Sequence, residues 1–260
     1  MLLAIDVGNT HTVLGVYRGE TLIADWRMVS SGTRTADETW LTIKSFCIDA
    51  DISPALLTGV GISSVVPNLT TIFETIARKY IKVEPVIVGG NLDLGFRIGY
   101  RDPAAVGADR LCNTIAGFRK YGGPLIIIDF GTATTFDVVA KNGDYLGGVI
   151  ALGLESTASE LHHRAAKLPK IELSFPEKVI GMDTVESMQA GVMFGAVDAV
   201  EGLVKRIQRE MGTNARVIAT GGLSTIMAKY ASVIEACEPT LVLEGVRLIH
   251  ERVKSREAPQ

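Results

Sequence analysis

Apolar and polar positions along this chain change period in a repeating order. Residues 2–16, LLAIDVGNTHTVLGV, form an apolar run, an Asp-x-Gly, a few small polar residues and a second β-rich run. Strand, tight turn, strand is a β-hairpin pattern. The period then lengthens. TADETWLTIKSFCIDA (35–50) reads as an amphipathic helix starting near Thr35 or Ala36, with Trp40, Ile43 and Phe46 as its apolar face. GVGISSVVP (59–67) is a short buried strand ended by Pro67. NLTTIFETIARKYI (68–81) is a helix whose Ile72, Ile76 and Tyr80 recur every four residues, and PVIVGG (85–90) is another strand. A helix opens at GADR (107–110), with Leu111, Ile115 and Phe118 as its stripe.

The opening pattern recurs. Residues 125–139, LIIIDFGTATTFDVV, match 2–16 at an offset of 123, so that Leu2 falls on Leu125, Asp6 on Asp129, Gly8 on Gly131, Thr12 on Thr135 and Val16 on Val139. The second half then gives a long helical region from Thr184, a strand RVIATGG (216–222) entering a glycine turn, and a closing helix GVRLIHERVK (245–254). Strands alternating with helices predict an α/β fold, divided into residues 1–117 and 118–260. SREAPQ, at the C-terminus, reads as a tail.

Composition narrows the function classes. With 260 residues and a net charge of −3, the chain carries no basic stripe that a nucleic-acid partner would require. No run approaches the roughly 20 apolar residues of a membrane span, and MLLAIDVGNT lacks a basic n-region, so it reads as a first strand and not a signal peptide. Cys47, Cys112 and Cys237 are three and widely spaced, which predicts reduced thiols in a cytoplasmic protein.

The chemistry resides in the two Asp-x-Gly hairpins. An Asp ending a buried strand, followed by Gly, sets a carboxylate beside backbone amides that a ligand can approach closely. The carboxylate can hold a cation directly or through water. One such hairpin reads equally well as an ordinary turn in which Asp bonds nearby amides. Two at matching places suggest a cleft with a phosphate loop on each wall. No GxxxxGK[ST] loop and no GxGxxG after the first strand is present. Asp-Phe-Gly at 129–131 lacks the HRD, VAIK and APE context of protein kinases.

These hairpins resemble the actin/hexokinase/Hsp70 superfamily, whose two ribonuclease-H-like domains clamp ATP in an interdomain cleft. DVGNT (6–10), VGADR (106–110), DFGTATT (129–135) and TGGL (220–223), with AAKLPKIEL (165–173) and LEGVRLIHER (243–252), together resemble the bacterial type III pantothenate kinases over nearly the whole chain. The resemblance implies phosphorylation of pantothenate by ATP, the first step towards coenzyme A. It also implies Mg²⁺ with the nucleotide, K⁺ or NH₄⁺ as monovalent cation, and a homodimer.

By the same resemblance, Asp6, Val7, Gly8, Asn9, Thr10, His11, Thr12 and Val13 form the first phosphate loop, and Asp6 places Mg²⁺ through water. His11 either touches a phosphate or points outwards. Asp129 matches the monovalent-cation ligand and Thr132 an ATP contact. Gly131, Thr134 and Thr135 fit a turn that satisfies its own backbone equally well. Gly221 and Gly222 match a turn facing the adenosine, though a strand-to-helix turn has the same pattern. Asp109 corresponds to the general base; by position alone it is an acidic residue complementing a helix dipole, which should keep it ionised. Tyr100, Gly107, Ala108, Asp109, Arg110 and Thr184 match substrate-binding positions. Arg110 suits an anionic carboxylate or else makes a surface ion pair, and Thr184 is a helix cap or reaches across the dimer. His162 and His163 read as a solvated face.

Three positions depart from the family pattern. Leu152 stands where Pro is usual, and Asp102 and Asp183 where Asn is common. The two acids add negative charge near an anionic substrate. The principal alternative to the enzyme is a regulatory protein that kept the fold; a sugar kinase lacks its zinc-binding Cys cluster here.

Overall fold

The structure is a computed structural model and describes residues 1–257. In chain order its elements are β1 Leu2–Val7, β2 His11–Arg18, β3 Thr21–Val29, α1 Ala36–Asp49, β4 Gly59–Ser64, α2 Pro67–Ile76, β5 Val86–Ile87 and α3 Ala108–Tyr121. There follow β6 Leu125–Phe130, β7 Ala133–Val139, β8 Tyr145–Leu152, α4 Leu154–Arg164, α5 Thr184–Met211, β9 Arg216–Thr220, α6 Ser224–Met227, β10 Ala236–Cys237 and α7 Leu241–Glu257. Among the described residues two compact units result, one of Met1–Lys120 with the closing segment from Leu241, and one of Tyr121–Thr240.

Each unit is a five-stranded mixed sheet on the same plan. The orders β3-β2-β1-β4-β5 and β10-β9-β6-β7-β8 match when one is read backwards. In both, an antiparallel hairpin is extended by one antiparallel strand and, on its other side, by parallel strands. The repeat is therefore real, with one correction. The first turn has Gly8 donating its amide to the His11 carbonyl; the second has Gly131 donating to Ala133. The second loop is one residue shorter, so Val7 pairs with Thr12 but Phe130 pairs with Thr134. Thr134, not Thr135, is the counterpart of Thr12, and both are buried.

The period of two assigns each face of the first sheet. Leu3, Ile5 and Val7 join Ile43, Cys47, Leu69, Phe73 and Ile76 in one core. Each such fully buried aliphatic side chain is worth about 1.5–3 kcal/mol. Leu2, Ala4 and Asp6 point the other way. There the facing positions are small: Gly15, Gly59 and Gly61, where a Cβ would lie 2.8, 2.9 and 2.6 Å from Leu243, His250 and Val246 of α7. That bare strip seats α7. The expected division at 117/118, with everything to 260 in the second domain, is corrected accordingly: α7 belongs to the first unit.

Smaller differences follow from packing. Thr35 caps α1 in a capping box with Glu38. The buried line of α1 is Thr39, Ile43 and Cys47, while Phe46 stacks on Trp26 and Trp40 on Tyr80. In α2 the buried line is Leu69, Phe73 and Ile76; of the expected stripe Ile76 is buried, while Ile72 and Tyr80 are only partly so. The strand within PVIVGG is only Val86–Ile87. In α3, Leu111 is buried while Ile115 and Phe118 are half-buried. Of the expected tail, Ser255–Glu257 continue α7; residues 258–260 lie outside the described residues. Among the described residues, no helix is long and apolar enough to cross a membrane.

Candidate active site

In the first unit the hairpin places Asp6 at the end of β1, half-buried, with Val7 buried, Gly8 half-buried, Asn9 and Thr10 exposed, His11 and Val13 half-buried and Thr12 buried. A brace that sequence reading missed holds this loop. Ser30, just past β3, donates its hydroxyl to the Gly8 carbonyl at 2.6 Å, shares a 2.9 Å hydrogen bond with the Thr12 hydroxyl, and donates its amide to the Thr10 carbonyl. The Asp6 carboxylate accepts from Ser63 at 2.9 Å.

Helix α3 brings a second carboxylate to the same side of this unit. Asp109 stands in its first turn and accepts from the Arg110 amide at 2.8 Å. A Cβ at Gly107 would sit 2.5 Å from Asp109 Oδ1, so only glycine leaves the carboxylate its place. The dipole alone predicts an acidic, ionised Asp109. Burial is the larger effect and pushes its carboxyl up, with the Arg110 amide and charge pulling back. Cys112, one turn further on, is fully buried within reach of both Asp6 and Asp109, and burial together with their charges pushes its thiol well up. Ala108 is buried. Arg110 is buried as well, only 5 % exposed, which excludes the surface ion pair. Tyr100 is half-buried in an irregular stretch. Asp102 caps the short turn Pro103–Ala105 through the Ala104 amide, 3.1 Å away.

In the second unit, Asp129 stands next to last in β6, opposite Thr220 of β9. Gly221 has φ of 87°, and a Cβ there would lie 2.5 Å from Asp129 Oδ1 and 2.7 Å from the Phe130 backbone. Gly221→Ala therefore combines a strained backbone with a main-chain clash and should cost about 1–3 kcal/mol, read as a lowered Tm; an unchanged Tm would contradict this packing. Gly222 is exposed. Gly131 and Thr132 are exposed, Thr134 buried and Thr135 half-buried. The start of α4 closes on this loop: the Gly153 amide donates to the Thr132 carbonyl at 3.2 Å and the Ser156 hydroxyl at 2.9 Å. Gly153 and Ser156 were not foreseen, although a glycine just before a helix was the available signal. Leu152 is exposed beside them. Thr184 is not the cap of α5. Asp183 is, accepting from the Glu186 amide at 2.8 Å, and Thr184 follows it, exposed. His162 and His163 are exposed on α4.

Among the described residues, no group of three or more His, Cys, Asp or Glu could hold a metal ion. The donor set fits a cation that completes its shell with phosphate oxygens and water, as Mg²⁺ does with one or two carboxylates; Asp6 is such a carboxylate. Asp129, against the bare Cα of Gly221, likewise offers one carboxylate with backbone beside it.

Comparison with known proteins bears on the family and the fold. The family model described as Type III pantothenate kinase matches residues 2–206. A Type III pantothenate kinase from Roseiflexus sp. (strain RS-1) is 46 % identical over 255 residues, covering 98 % of this chain and 100 % of its own length. At the level of fold alone, the chain is similar to component A of (R)-2-hydroxyglutaryl-CoA dehydratase from Acidaminococcus fermentans, with TM-score 0.58, 14 % identity and 98 % of each chain covered. It is also similar to the ROK hexokinase of Thermus thermophilus, with TM-score 0.54, 10 % identity and 99 % of each chain covered. The fold is of the actin/hexokinase type, and the chain belongs to the type III pantothenate kinase family.

Proposed function

We infer that this protein transfers the γ-phosphoryl group of ATP to the hydroxyl of pantothenate, giving 4′-phosphopantothenate and ADP. The observation that carries the reading is the GADR helix start in a member of this family: a carboxylate whose pose requires Gly107, lifted in pKa by burial, beside a buried arginine. The regulatory alternative is set aside, since the family and its relatives are named for the kinase.

Phosphoryl transfer needs positioning and charge neutralisation more than covalent chemistry. In this reading the backbone from Gly8 to Val13 wraps the phosphates, and Ser30 keeps that loop in shape. Mg²⁺, bound with the nucleotide, would offset the charge developing on the phosphate oxygens, and Asp6 would hold it through water. Asp109 orients the pantothenate hydroxyl and takes its proton; its raised pKa makes it a better base than an exposed aspartate. Arg110 takes the substrate carboxylate, with Tyr100, Gly107 and Ala108 beside it. Thr132, Gly221 and Gly222 contact the nucleotide, and Asp129 would hold K⁺ or NH₄⁺.

A cytoplasmic homodimer is part of the same reading, with Thr184 serving the partner's pocket. The support is that Thr184 is exposed and has Ile180 and Met182 near it, 81 % and 88 % exposed, an apolar pair that a second copy would cover.

The test is ADP release from purified protein with ATP, Mg²⁺ and K⁺, with and without pantothenate, then with Na⁺ for K⁺. Pantothenate- and K⁺-dependent turnover is expected; a folded protein without it would move the assignment to another acceptor. Asp129→Ala should abolish the stimulation by K⁺, and a variant still activated by K⁺ would remove Asp129 from that role.

A further inference from the structure

A buried hydroxyl in the first unit, Ser63, touches the phosphate-loop carboxylate and has no part in the scheme above. Ser63 lies on β4 with no exposed surface. Parallel pairing sets it opposite Asp6, and its hydroxyl donates to Asp6 Oδ1 at 2.9 Å. It also stands by the Cys112 thiol of α3, the helix whose first turn carries Asp109, and pulls that thiol's pKa down against the effect of burial. One side chain on β4 thus holds the carboxylate near the end of β1.

The terminal torsion of an aspartate has a broad, two-fold profile. A carboxylate at a strand end therefore takes a defined rotation only where a donor fixes it. A hydroxyl bonded to an ionised carboxylate does this with a shorter, stronger hydrogen bond than a neutral pair makes. We propose that Ser63 is a positioning residue for the phosphoryl transfer: it fixes the rotation of the Asp6 carboxylate at the end of the phosphate-loop strand. The competing account is steric. Gly59 and Gly61 share this face of β4, and Ser63 would then be present only because the space is small. The two accounts separate at Ser63→Ala, which is smaller still and removes only the oxygen.

The proposal rests on the kinase reading for what Asp6 holds, so its test is made without turnover. ATP binding is titrated by calorimetry at a series of Mg²⁺ concentrations, with pantothenate absent. Ser63→Ala should require up to about 10-fold more Mg²⁺ for the same nucleotide affinity, the low end of the range for a residue behind a direct metal ligand, because Asp6 reaches the ion through water. Binding of ATP without Mg²⁺ should stay at the wild-type level. Adding Ser63→Ala to Asp6→Asn should shift the Mg²⁺ dependence no further, because Ser63 acts through Asp6. In turnover, kcat should fall while KM for pantothenate holds. Wild-type Mg²⁺ dependence in folded Ser63→Ala, or a lowered Tm as the sole change, would overturn the proposal. Should that variant not fold, near-isosteric Ser63→Cys, a weaker donor, carries the test: an intermediate shift is expected, and no shift would overturn it. An inactive wild-type protein would remove the pantothenate reaction but leave the calorimetric result to be read on its own.

Discussion

Asp109→Asn is expected to lower turnover by about 10²–10⁴-fold, the usual contribution of a positioned acid or base, while ATP binding stays close to wild type. The amide keeps the shape of the carboxylate but cannot accept the proton of the attacking hydroxyl. The same residue makes a pH prediction. Burial raises its carboxyl above the ordinary aspartate value, so the acid limb of the kcat/KM profile should lie above the range of an exposed aspartate and disappear in the variant. Stability should move the opposite way from activity. A carboxyl whose folded pKa is raised above its unfolded value stabilises the fold at a pH below the unfolded value. That contribution is lost as pH rises through the folded pKa. At neutral pH the ionised group is therefore a burden on the fold. Asp109→Asn should melt higher than wild type near pH 7, with the gap closing in acid. Unchanged turnover would remove Asp109 from the mechanism, and a lower Tm at pH 7 would contradict the dominance of burial over the Arg110 charge.

The largest expected effect on stability comes from a position with no chemistry of its own. A Cβ on Gly245 would lie 2.2 Å from the Cys112 carbonyl oxygen and 2.5 Å from its carbonyl carbon and Cα. These are main-chain atoms of α3, which cannot rotate aside, so Gly245→Ala must part α7 from α3. A loss of about 1–3 kcal/mol or more is expected, seen as a fall of several degrees in Tm. Because Cys112 sits one turn beyond Asp109, kcat should fall with it, although the substitution is on α7. Gly202→Ala is the control. Nothing lies within 4 Å of the Cβ it would add to α5, and alanine favours a helix interior by about 0.5–1 kcal/mol. If both variants melt like wild type, the close α3–α7 approach is wrong.

Local features of this site were legible in the sequence because local rules govern them. An apolar run followed by Asp-x-Gly specifies a hairpin with its carboxylate at the strand end, and both hairpins formed. GADR before an apolar stripe specifies a helix start, and α3 begins at Ala108. What escaped depends on partners distant in the chain. Ser30 braces Gly8 from 22 residues away and Ser63 reaches Asp6 across 57; the strand register that joins them is invisible until the sheet is built. The direction of the Asp109 shift escaped for the same reason. The helix terminus is local, but the surroundings that desolvate the carboxylate are not. The ungapped repeat misassigned Thr135 because one deleted loop residue slips the whole following strand.

The placement of α7 also bears on how the protein is made. The ribosome delivers β1 to β5 early, but the helix that covers their glycine face comes only after residues 121–240. At about 5–20 residues per second, that insertion alone takes roughly 6–24 s. During that interval the strip around Ala4, Gly15, Gly59 and Gly61 has no helix upon it. The second unit, continuous in the chain, can complete its core while the first waits. For the nascent polypeptide the order of birth is thus the reverse of the order of completion, and the half carrying Asp6 and Asp109 is the one exposed to a chaperone or to aggregation until the last helix emerges.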